Sequence, residues 1–281
     1  MNIGKYVEMY SKDLKLKNYA ESTIQNYCCQ VELFLKHFED VANKPSEINE
    51  RQIKEWLLKA ESVNSRKHRL SSLKLFYSLT GKQPMKLKYI EYPRSEKRLP
   101  IVLSQDEIQS MFDACENKKH KVILLLLYAA GLRANELINL KWSHIDRSRK
   151  IINVVNGKGG KDRQIMLDDK LIPILEDYWR EYKTKTYVLS GQFSDRYSKT
   201  SVLQVVKQIA VKAKIKKKVW SHLIRHCFGT HLVEAGVDIN LIQRLMGHRS
   251  PKTTSIYLHI SDTLISKISS PVSNINLCCK T

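Results

Sequence analysis

The chain changes its periodicity in one stretch, residues 151–167, which reads IINVVNGKGGKDRQIML. Apolar residues alternate there with a period of two on both sides of a glycine-rich segment at 156–161. Such alternation around a glycine-rich turn is typical of two short strands that pair with each other. We therefore predict a β-hairpin whose tip contains Lys158.

The sequence on both sides of this hairpin has helical spacing. Ser104 followed by Glu107 is the pattern of a helix N-terminal capping box. Apolar residues at spacings of three and four predict further helices at 121–130, 133–140, 172–182, 201–214, 222–235 and 240–246. The second half of the chain is therefore predicted to be mainly α with a small antiparallel sheet.

The first half of the chain, residues 1–89, has helical spacing throughout. A segment that begins at Ser62 and runs to Thr80 carries an apolar stripe, and its opposite face is basic. The basic residues of that face are Arg66, Lys67, Arg69 and Lys74. This pattern fits an ordinary solvated surface as well as a helix that contacts DNA phosphates, and the overall charge of the chain favours DNA.

A proline-containing basic stretch separates the two halves. It breaks the helical periodicity and contains Arg94, Lys97 and Arg98, which we expect to contact DNA. We predict a helical core-DNA-binding domain at 1–92, a basic linker at 93–103 and a second domain with a C-terminal tail at 104–281. Because the chain starts directly with the helical half, we expect action at core sites without distant arm-type sites.

The composition points to a polyanionic partner. Lys and Arg total 48 against 28 Asp and Glu, a formal net charge of +20, which favours nucleic acid, here double-stranded DNA. The apolar runs are too short for a bilayer of about 30 Å, so no membrane contact is expected. The six cysteines follow neither a disulfide nor a metal-ligand pattern, which favours reduced thiols in the cytoplasm.

Several residues with reactive or charged side chains lie where a predicted helix or turn begins or ends. They are Arg133, Lys158, His222, Arg225, His248 and Tyr257. Each alone also fits an ordinary role, such as a surface arginine, a solvated turn lysine, a helix cap or a core tyrosine. His222 and Arg225 are three residues apart on one predicted helix, so both side chains can face one phosphate.

The segments around these residues, taken together and in order, carry a family resemblance. They read AGLRANEL at 130–137, GKG at 157–159, HLIRH at 222–226, LMGH at 245–248 and TTSIY at 253–257. In this combination the sequence resembles the tyrosine recombinases of the phage-integrase and Xer type over nearly its whole length. The resemblance implies a two-domain clamp, with a helical DNA-binding domain and an α+β catalytic domain.

The resemblance also implies a role for each of these residues. Around a scissile phosphate it places Arg133, Lys158, His222, Arg225 and His248. Tyr257 is then the nucleophile and Glu136 an acidic supporting residue. His222 is our candidate for the general base, Lys158 resembles the family's general acid, and no metal or other cofactor is implied.

The implied reaction is cleavage and rejoining of DNA strands through a 3′-phosphotyrosyl intermediate. Four protomers would act on paired sites through a Holliday junction, with integration, excision, inversion or dimer resolution as the outcome. A type IB topoisomerase shares the phosphotyrosine step, and a catalytically silent DNA-binding protein shares the basic surface. The helical first half and the motif spacing argue against the former, and the complete residue set argues against the latter.

Overall fold

The computed structural model describes residues 1–94, 101–155, 162–248, 250 and 254. The chain divides into two compact units, Met1–Lys97 and Arg98–Thr281. The predicted linker residues Lys97 and Arg98, the hairpin residue Lys158 and the candidate nucleophile Tyr257 lie outside the described residues. The exact domain bounds at 1–92, 93–103 and 104–281 stay a prediction.

The described part of the first unit is helical. Its α-helices are α1 (Ile3–Leu16), α2 (Glu21–His37), α3 (Glu50–Leu58) and α4 (Val63–Leu79), with a 3-10 turn at Pro45–Glu47. Side-chain caps fix where α1, α3 and α4 start, and the Ser62 hydroxyl accepts a hydrogen bond from the backbone N–H of Ser65 at the start of α4. The cap residues of α4, Ser62 and Thr80, confirm the helix predicted between those two residues.

An aromatic core holds the first unit together. Phe34 contacts the rings of Trp56 and Tyr77 edge to face, and Tyr10 contacts Phe76 in the same way. The buried hydroxyls also find partners, since Tyr10 donates to the Ser72 carbonyl at 3.0 Å. Such pairs add to the stability gained from apolar burial. The helices are therefore fixed by packing against one another as well as by their caps.

The described part of the second unit contains seven helices and three short strands. The helices are α5 (Gln105–Asp113), α6 (Lys118–Ala129), α7 (Ala134–Ile138), α8 (Leu171–Tyr182), α9 (Lys199–Lys212), α10 (Ser221–Glu234) and α11 (Ile239–Met246), with a 3-10 turn at Trp142–His144. The capping box of Ser104 and Glu107 at the start of α5 is confirmed. Helix α7 is shorter than predicted, because the chain turns after Leu140 into a bridge between Lys141 and Tyr187.

The strands are β1 (Ile145–Asp146), β2 (Ile151–Val154) and β3 (Arg163–Met166). They form an antiparallel sheet in the order β1-β2-β3. The pairing of Ile152 with Ile165 confirms the predicted hairpin, whose tip at 156–161 lies outside the described residues. The mainly helical class with a small antiparallel sheet is thereby confirmed.

Helix α6 forms the centre of the second core. Its residues Val122, Ile123, Leu124, Leu126 and Leu127 are completely buried, and α8, α9 and α10 pack around it. A helix that is apolar on most sides is expected to lie inside a domain. This packing brings α10 against the end of α6, where the candidate catalytic residues begin. Within the described ranges, every helix is too short or too polar to cross a membrane.

Candidate active site

The turn between α6 and α7 determines where Arg133 lies. Gly131 has a φ of +53°, and a Cβ atom there would clash with the ring of Phe228. Only glycine adopts this left-handed conformation so close to an aromatic ring without strain. Arg133 then becomes the N-cap residue of α7, and its backbone N–H donates to Oε2 of Glu136 at 2.8 Å.

Glu136 is a buried carboxylate that binds arginine side chains from different elements. Nη1 of Arg133 donates to Oε1 at 2.7 Å. Arg163, at the start of β3, donates to both oxygens, from Nη1 to Oε1 at 2.8 Å and from Nη2 to Oε2 at 2.7 Å. Nη1 of Arg225, on α10, lies 3.7 Å from Oε2. Three guanidinium groups thus lie around the carboxylate of Glu136.

The charge state of Glu136 follows from these contacts. Burial alone would raise the pKa of the carboxyl group, because a charge loses hydration inside the protein. The hydrogen bonds and positive charge of Arg163, followed by those of Arg133, lower the pKa to about 2. Glu136 is therefore ionised at neutral pH and bears a full negative charge at the centre of the cluster.

Arg225 is fully buried. Its Nη1 donates to the carbonyl oxygen of Gly131, and its Nη2 donates to the carbonyl oxygen of Met246. A buried guanidinium is tolerated only where its donors are paired. Because these carbonyls belong to the α6–α7 turn and to the end of α11, Arg225 joins three elements and its plane is fixed.

His248 follows the C-terminal end of α11. Arg133 Nη2 donates to the carbonyl oxygen of the preceding residue, Gly247, at 3.2 Å, and Nδ1 of His248 lies 3.0 Å from Oγ1 of the buried Thr254. Burial, then the positive charges of Arg225 and Arg133, lower the pKa of His248 to about 3. The imidazole is therefore neutral at physiological pH and presents one donor and one acceptor nitrogen.

His222 lies one turn before His226 on α10, and their ring centroids are 4.5 Å apart in an edge-to-face contact. His222 is exposed and His226 is half-buried. Both histidines also contribute to the lowered pKa of His248, which places them beside the arginine cluster. The imidazole of His222 is thus the exposed member of this group of histidines.

A cavity of about 980 Å³ opens beside the cluster. Arg133, Arg163 and His248 line it, together with polar residues of the sheet and of α11, among them Gln164 and Gln243. The lining therefore carries the cationic side chains and the neutral imidazole to a space that admits an anionic group. Donors that are fixed in advance around such a space stabilise charge effectively.

Within the described ranges, no group of three His, Cys, Asp or Glu side chains is arranged to hold a metal ion. His231, on the same helix as Arg225, has both ring nitrogens engaged in hydrogen bonds. Nδ1 pairs with the hydroxyl of Tyr128 at 2.8 Å and Nε2 with the carbonyl oxygen of Leu103 at 3.0 Å. This histidine therefore fastens the start of the second unit to α10.

Comparison with known protein families shows to which family the chain belongs. The profile of the Phage integrase family matches residues 102–263, and that of the Phage integrase N-terminal SAM-like domain matches residues 7–87. The chain belongs to the phage integrase family of tyrosine recombinases. It is a tyrosine-type site-specific recombinase, as its relatives also indicate. A tyrosine recombinase of Thermosipho africanus is 34% identical over 279 residues, which cover 92% of this chain and 96% of that protein.

Solved structures share the fold of this recombinase. The XerH site-specific recombinase, bound to a palindromic difH substrate in a post-cleavage complex, has a TM-score of 0.73 and 21% identity, with 93% of this chain and 83% of that chain covered. A lambda integrase tetramer bound to a Holliday junction has a TM-score of 0.74 and 18% identity, with 91% and 76% covered. At these identities the likeness establishes the fold.

The structure of the recombinase describes four of the candidate catalytic residues and brings three of them together. Arg133, Arg225 and His248 meet around Glu136 and the end of α11, and His222 lies beside them through its contact with His226. Lys158 and Tyr257 belong to the segments that lie outside the described residues.

Arg163 is not among the site residues predicted from the sequence, although it binds both carboxylate oxygens of Glu136. A signal was present, because Arg163 and Ile165 are two residues apart and therefore lie on the same face of β3. Ile165 is buried, so the period of two puts an arginine on an inward face. An inward arginine next to a predicted catalytic hairpin requires a buried carboxylate, and Glu136 is that partner.

Two of the candidate DNA-binding residues on α4 contact aromatic rings. The guanidinium of Arg69 lies 4.6 Å from the ring centroid of Trp56, and Lys74 Nζ lies 4.9 Å from that of Tyr92. Arg66 and Lys67 are half-buried, and Arg94 is exposed. A groove of about 420 Å³ between α2 and α4 is lined by Lys67 and by neutral polar groups. The role of these residues in DNA binding stays a prediction.

Proposed function

We propose that this recombinase cleaves and rejoins strands of duplex DNA by transesterification, with Tyr257 as the nucleophile. The hydroxyl oxygen of Tyr257 would attack a phosphodiester, form a 3′-phosphotyrosyl bond and release a 5′-hydroxyl. Attack by another 5′-hydroxyl reverses the step, so the reaction needs no external energy source. The observation that carries this proposal is the convergence of Arg133 and Arg225 on Glu136 beside His248.

The charge of the cluster suits the transition state of phosphodiester cleavage. Three guanidinium groups and one carboxylate leave a local charge of about +2, because arginine stays protonated in proteins. A five-coordinate phosphorus intermediate carries about two negative charges on its non-bridging oxygens. Planar, bidentate donors that are fixed in advance stabilise that charge without reorganisation, which a lysine at the same place does not match.

His248 supports the same oxygens in a neutral form. With its pKa at about 3, the imidazole does not compete with the arginines for the carboxylate of Glu136. If the Thr254 hydroxyl donates to Nδ1, Nε2 carries the proton and donates a hydrogen bond to a non-bridging oxygen. Thr254 would then set the tautomer of His248.

Proton transfer completes the proposed mechanism. The phenol of tyrosine has a reference pKa of about 10, so the hydroxyl of Tyr257 has to lose its proton during attack. We assign His222 as the general base, since it is the exposed histidine beside the cluster. Lys158 is assigned as the general acid that protonates the leaving 5′-oxygen. No metal or other cofactor is part of this mechanism.

The proposed partner is double-stranded DNA, with a homo-tetramer acting on paired recombination sites through a Holliday junction. The net charge of +20 supports a polyanionic partner. Arg66, Lys67, Arg69 and Lys74 of α4, with Arg94, Lys97 and Arg98, would contact that DNA. We place the recombinase in the cytoplasm, since the described cysteines are free thiols and free thiols persist in reducing compartments.

The test is a search for the covalent intermediate. The protein is incubated with sheared genomic DNA of its source organism, the mixture is denatured, and protein-linked DNA is separated on a denaturing gel and sequenced. We expect an adduct for the wild type and none for Tyr257→Phe, with the recovered DNA sharing one site. An adduct that persists in Tyr257→Phe, or no adduct in the wild type, contradicts the proposal.

This experiment, together with a plasmid relaxation assay, separates the alternatives. A catalytically silent DNA-binding protein gives no adduct with either variant. A type IB topoisomerase relaxes a supercoiled plasmid that lacks the recovered site, whereas a site-specific recombinase leaves that plasmid supercoiled. The recovered site is also the source of the nicked duplexes needed to measure cleavage rates.

A further inference from the structure

Arg163 is the arginine of the cluster to which the proposed mechanism assigns no contact with the scissile phosphate. Its side chain is 8% exposed, and each of its three guanidinium nitrogens donates to the protein. Nη1 and Nη2 bind Glu136, and Nε donates to the carbonyl oxygen of Leu245 at 2.7 Å. Because each guanidinium nitrogen is bound within the protein, Arg163 is suited to holding other residues in place.

The packing of Arg163 extends to the residue before His248. Gly247 has a φ of +58°, and a Cβ atom there would lie 3.0 Å from Cδ of Arg163. Arg163 therefore fills the space beside this turn and bonds to it through Leu245. A single side chain thus connects β3 with Glu136 of α7 and with the end of α11.

We propose that Arg163 is a positioning residue of the recombinase, which holds the carboxylate of Glu136 so that Glu136 orients Arg133 towards the scissile phosphate. The inference rests on the proposed function, in which Arg133 binds that phosphate. Arg163 lines the cavity, but its guanidinium nitrogens bind Glu136 and Leu245, so it acts through Glu136. Its role is distinct from that of Arg133 and Arg225.

The geometry of the carboxylate explains why such a residue is needed. Oε1 of Glu136 is shared by Arg133 and Arg163, while Oε2 accepts from Arg163 and from the backbone N–H of Arg133. Without Arg163, the carboxylate is free to rotate towards Arg225, whose Nη1 lies 3.7 Å away. Arg133, which shares Oε1 of Glu136 with Arg163, would then lose its orientation towards the phosphate.

This loss has a recognisable chemical signature. Removal of Arg163 weakens the stabilisation of negative charge on the non-bridging oxygens, so the cleavage defect should depend on that charge. A methylphosphonate replaces one charged oxygen by a methyl group and makes the scissile group neutral. A variant whose defect lies in charge stabilisation should therefore recover on a methylphosphonate, whereas a variant with a damaged fold should be slow on both substrates.

The experiment measures single-turnover cleavage of nicked duplexes that carry the recovered site with either a phosphodiester or a methylphosphonate at the scissile position. For Arg163→Ala we expect diester cleavage to be slower by about 10- to 100-fold, the usual size for a residue that orients a ligand from behind. On the methylphosphonate, we expect its rate to approach that of the wild type. Arg163→Lys keeps the charge without the planar fork and should lie between the two.

A matched control is Arg147→Ala, because Nη1 of Arg147 also pairs with a carboxylate, Glu176, at 2.6 Å but with its side chain 60% exposed. We expect this variant to cleave both substrates at the wild-type rate. Equal losses on both substrates for Arg163→Ala, or no loss on the diester, would overturn the inference. If Arg163→Ala does not fold, the same comparison of the two substrates is made with Arg163→Lys.

Arg133→Ala separates failure of the inference from failure of the proposed function. We expect a large loss on the diester and recovery on the methylphosphonate. If Arg133→Ala cleaves the diester normally, the proposed role of Arg133 is wrong and the inference falls with it. If Arg133→Ala loses cleavage while Arg163→Ala does not, only the inference about Arg163 falls.

Discussion

The second unit contains two arginine–carboxylate pairs of almost equal length in very different surroundings. Arg163 and Glu136 lie 2.7 Å apart with side chains 8% and 5% exposed, whereas Arg147 and Glu176 lie 2.6 Å apart with side chains 60% and 33% exposed. Solvent screens the second pair and side-chain entropy opposes it, so it contributes little. The buried pair has lost its hydration and depends on its partners. Distance alone therefore does not reveal which ion pair matters.

The largest expected effect comes from removing the buried carboxylate. Glu136→Ala leaves the guanidiniums of Arg133, Arg163 and Arg225 without their common partner, and we expect the free energy of unfolding to fall by roughly 3 to 5 kcal/mol. Glu176→Ala, the matched surface change, should cost at most about 1 kcal/mol. Urea unfolding of both variants measures the difference, and equal losses would break the comparison.

The next effect concerns the reaction rather than the fold. Arg133→Lys retains a positive charge but loses the planar pair of donors, and we expect cleavage to slow by about 10²- to 10³-fold, the usual result of losing a charge-stabilising donor. Arg196→Lys is the control, since Arg196 is exposed and donates to Asn139 at 3.1 Å. Single-turnover cleavage of a nicked duplex gives both rates. Similar rates for the two variants would remove Arg133 from the proposed site.

A smaller effect distinguishes two glycines in the left-handed region. A Cβ atom at Gly236 meets nothing within 4 Å, whereas one at Gly247 meets the side chain of Arg163. Gly236→Ala should lower the free energy of unfolding by about 1 to 2 kcal/mol through backbone strain alone and leave cleavage unchanged. Gly247→Ala should cost more and also slow cleavage, because Arg163 has to move. Thermal unfolding and cleavage rates compare the two, and identical behaviour would speak against a tight fit at Arg163.

A separate effect is a pH dependence of stability. The folded pKa of His248 is about 3, below the reference value of 6.5. Between these values the unfolded chain binds a proton that the folded chain does not, so stability is fully present above pH 6.5 and declines as the pH falls towards 3. We expect His248→Gln to make the stability curve flatter between pH 6.5 and 4.5. A slope identical to that of the wild type would mean that His248 is not held neutral by the cluster.

Local signals explain what the sequence predicts correctly. The capping box of Ser104 and Glu107, the cap at Ser62 and the alternation around 156–161 involve residues that are close in the chain, and these elements form where the patterns indicate. The family resemblance adds Arg133, Arg225 and Glu136 as neighbours. These are features that short motifs encode directly.

Contacts between distant segments explain what the sequence does not reveal. Arg163 lies 27 residues from Glu136 and 82 residues from Leu245, and the period of two in β3 indicates an inward arginine without identifying either partner. Arg69 is similar, since its basic character predicts a DNA contact whereas its ring stacking on Trp56 depends on how α3 and α4 pack. Such pairings become visible only when the folded core fixes which faces meet.

The most direct test of the account is to identify the amino acid that carries the DNA in the trapped adduct. Trypsin and nuclease digestion followed by mass spectrometry should find a nucleotide on the peptide of residues 253–267, attached to Tyr257. The yield of this peptide should fall sharply in Arg133→Ala and stay unchanged in Arg147→Ala. A nucleotide on any other peptide, or a full yield in Arg133→Ala, would contradict the proposal that the arginine cluster activates a phosphodiester for attack by Tyr257.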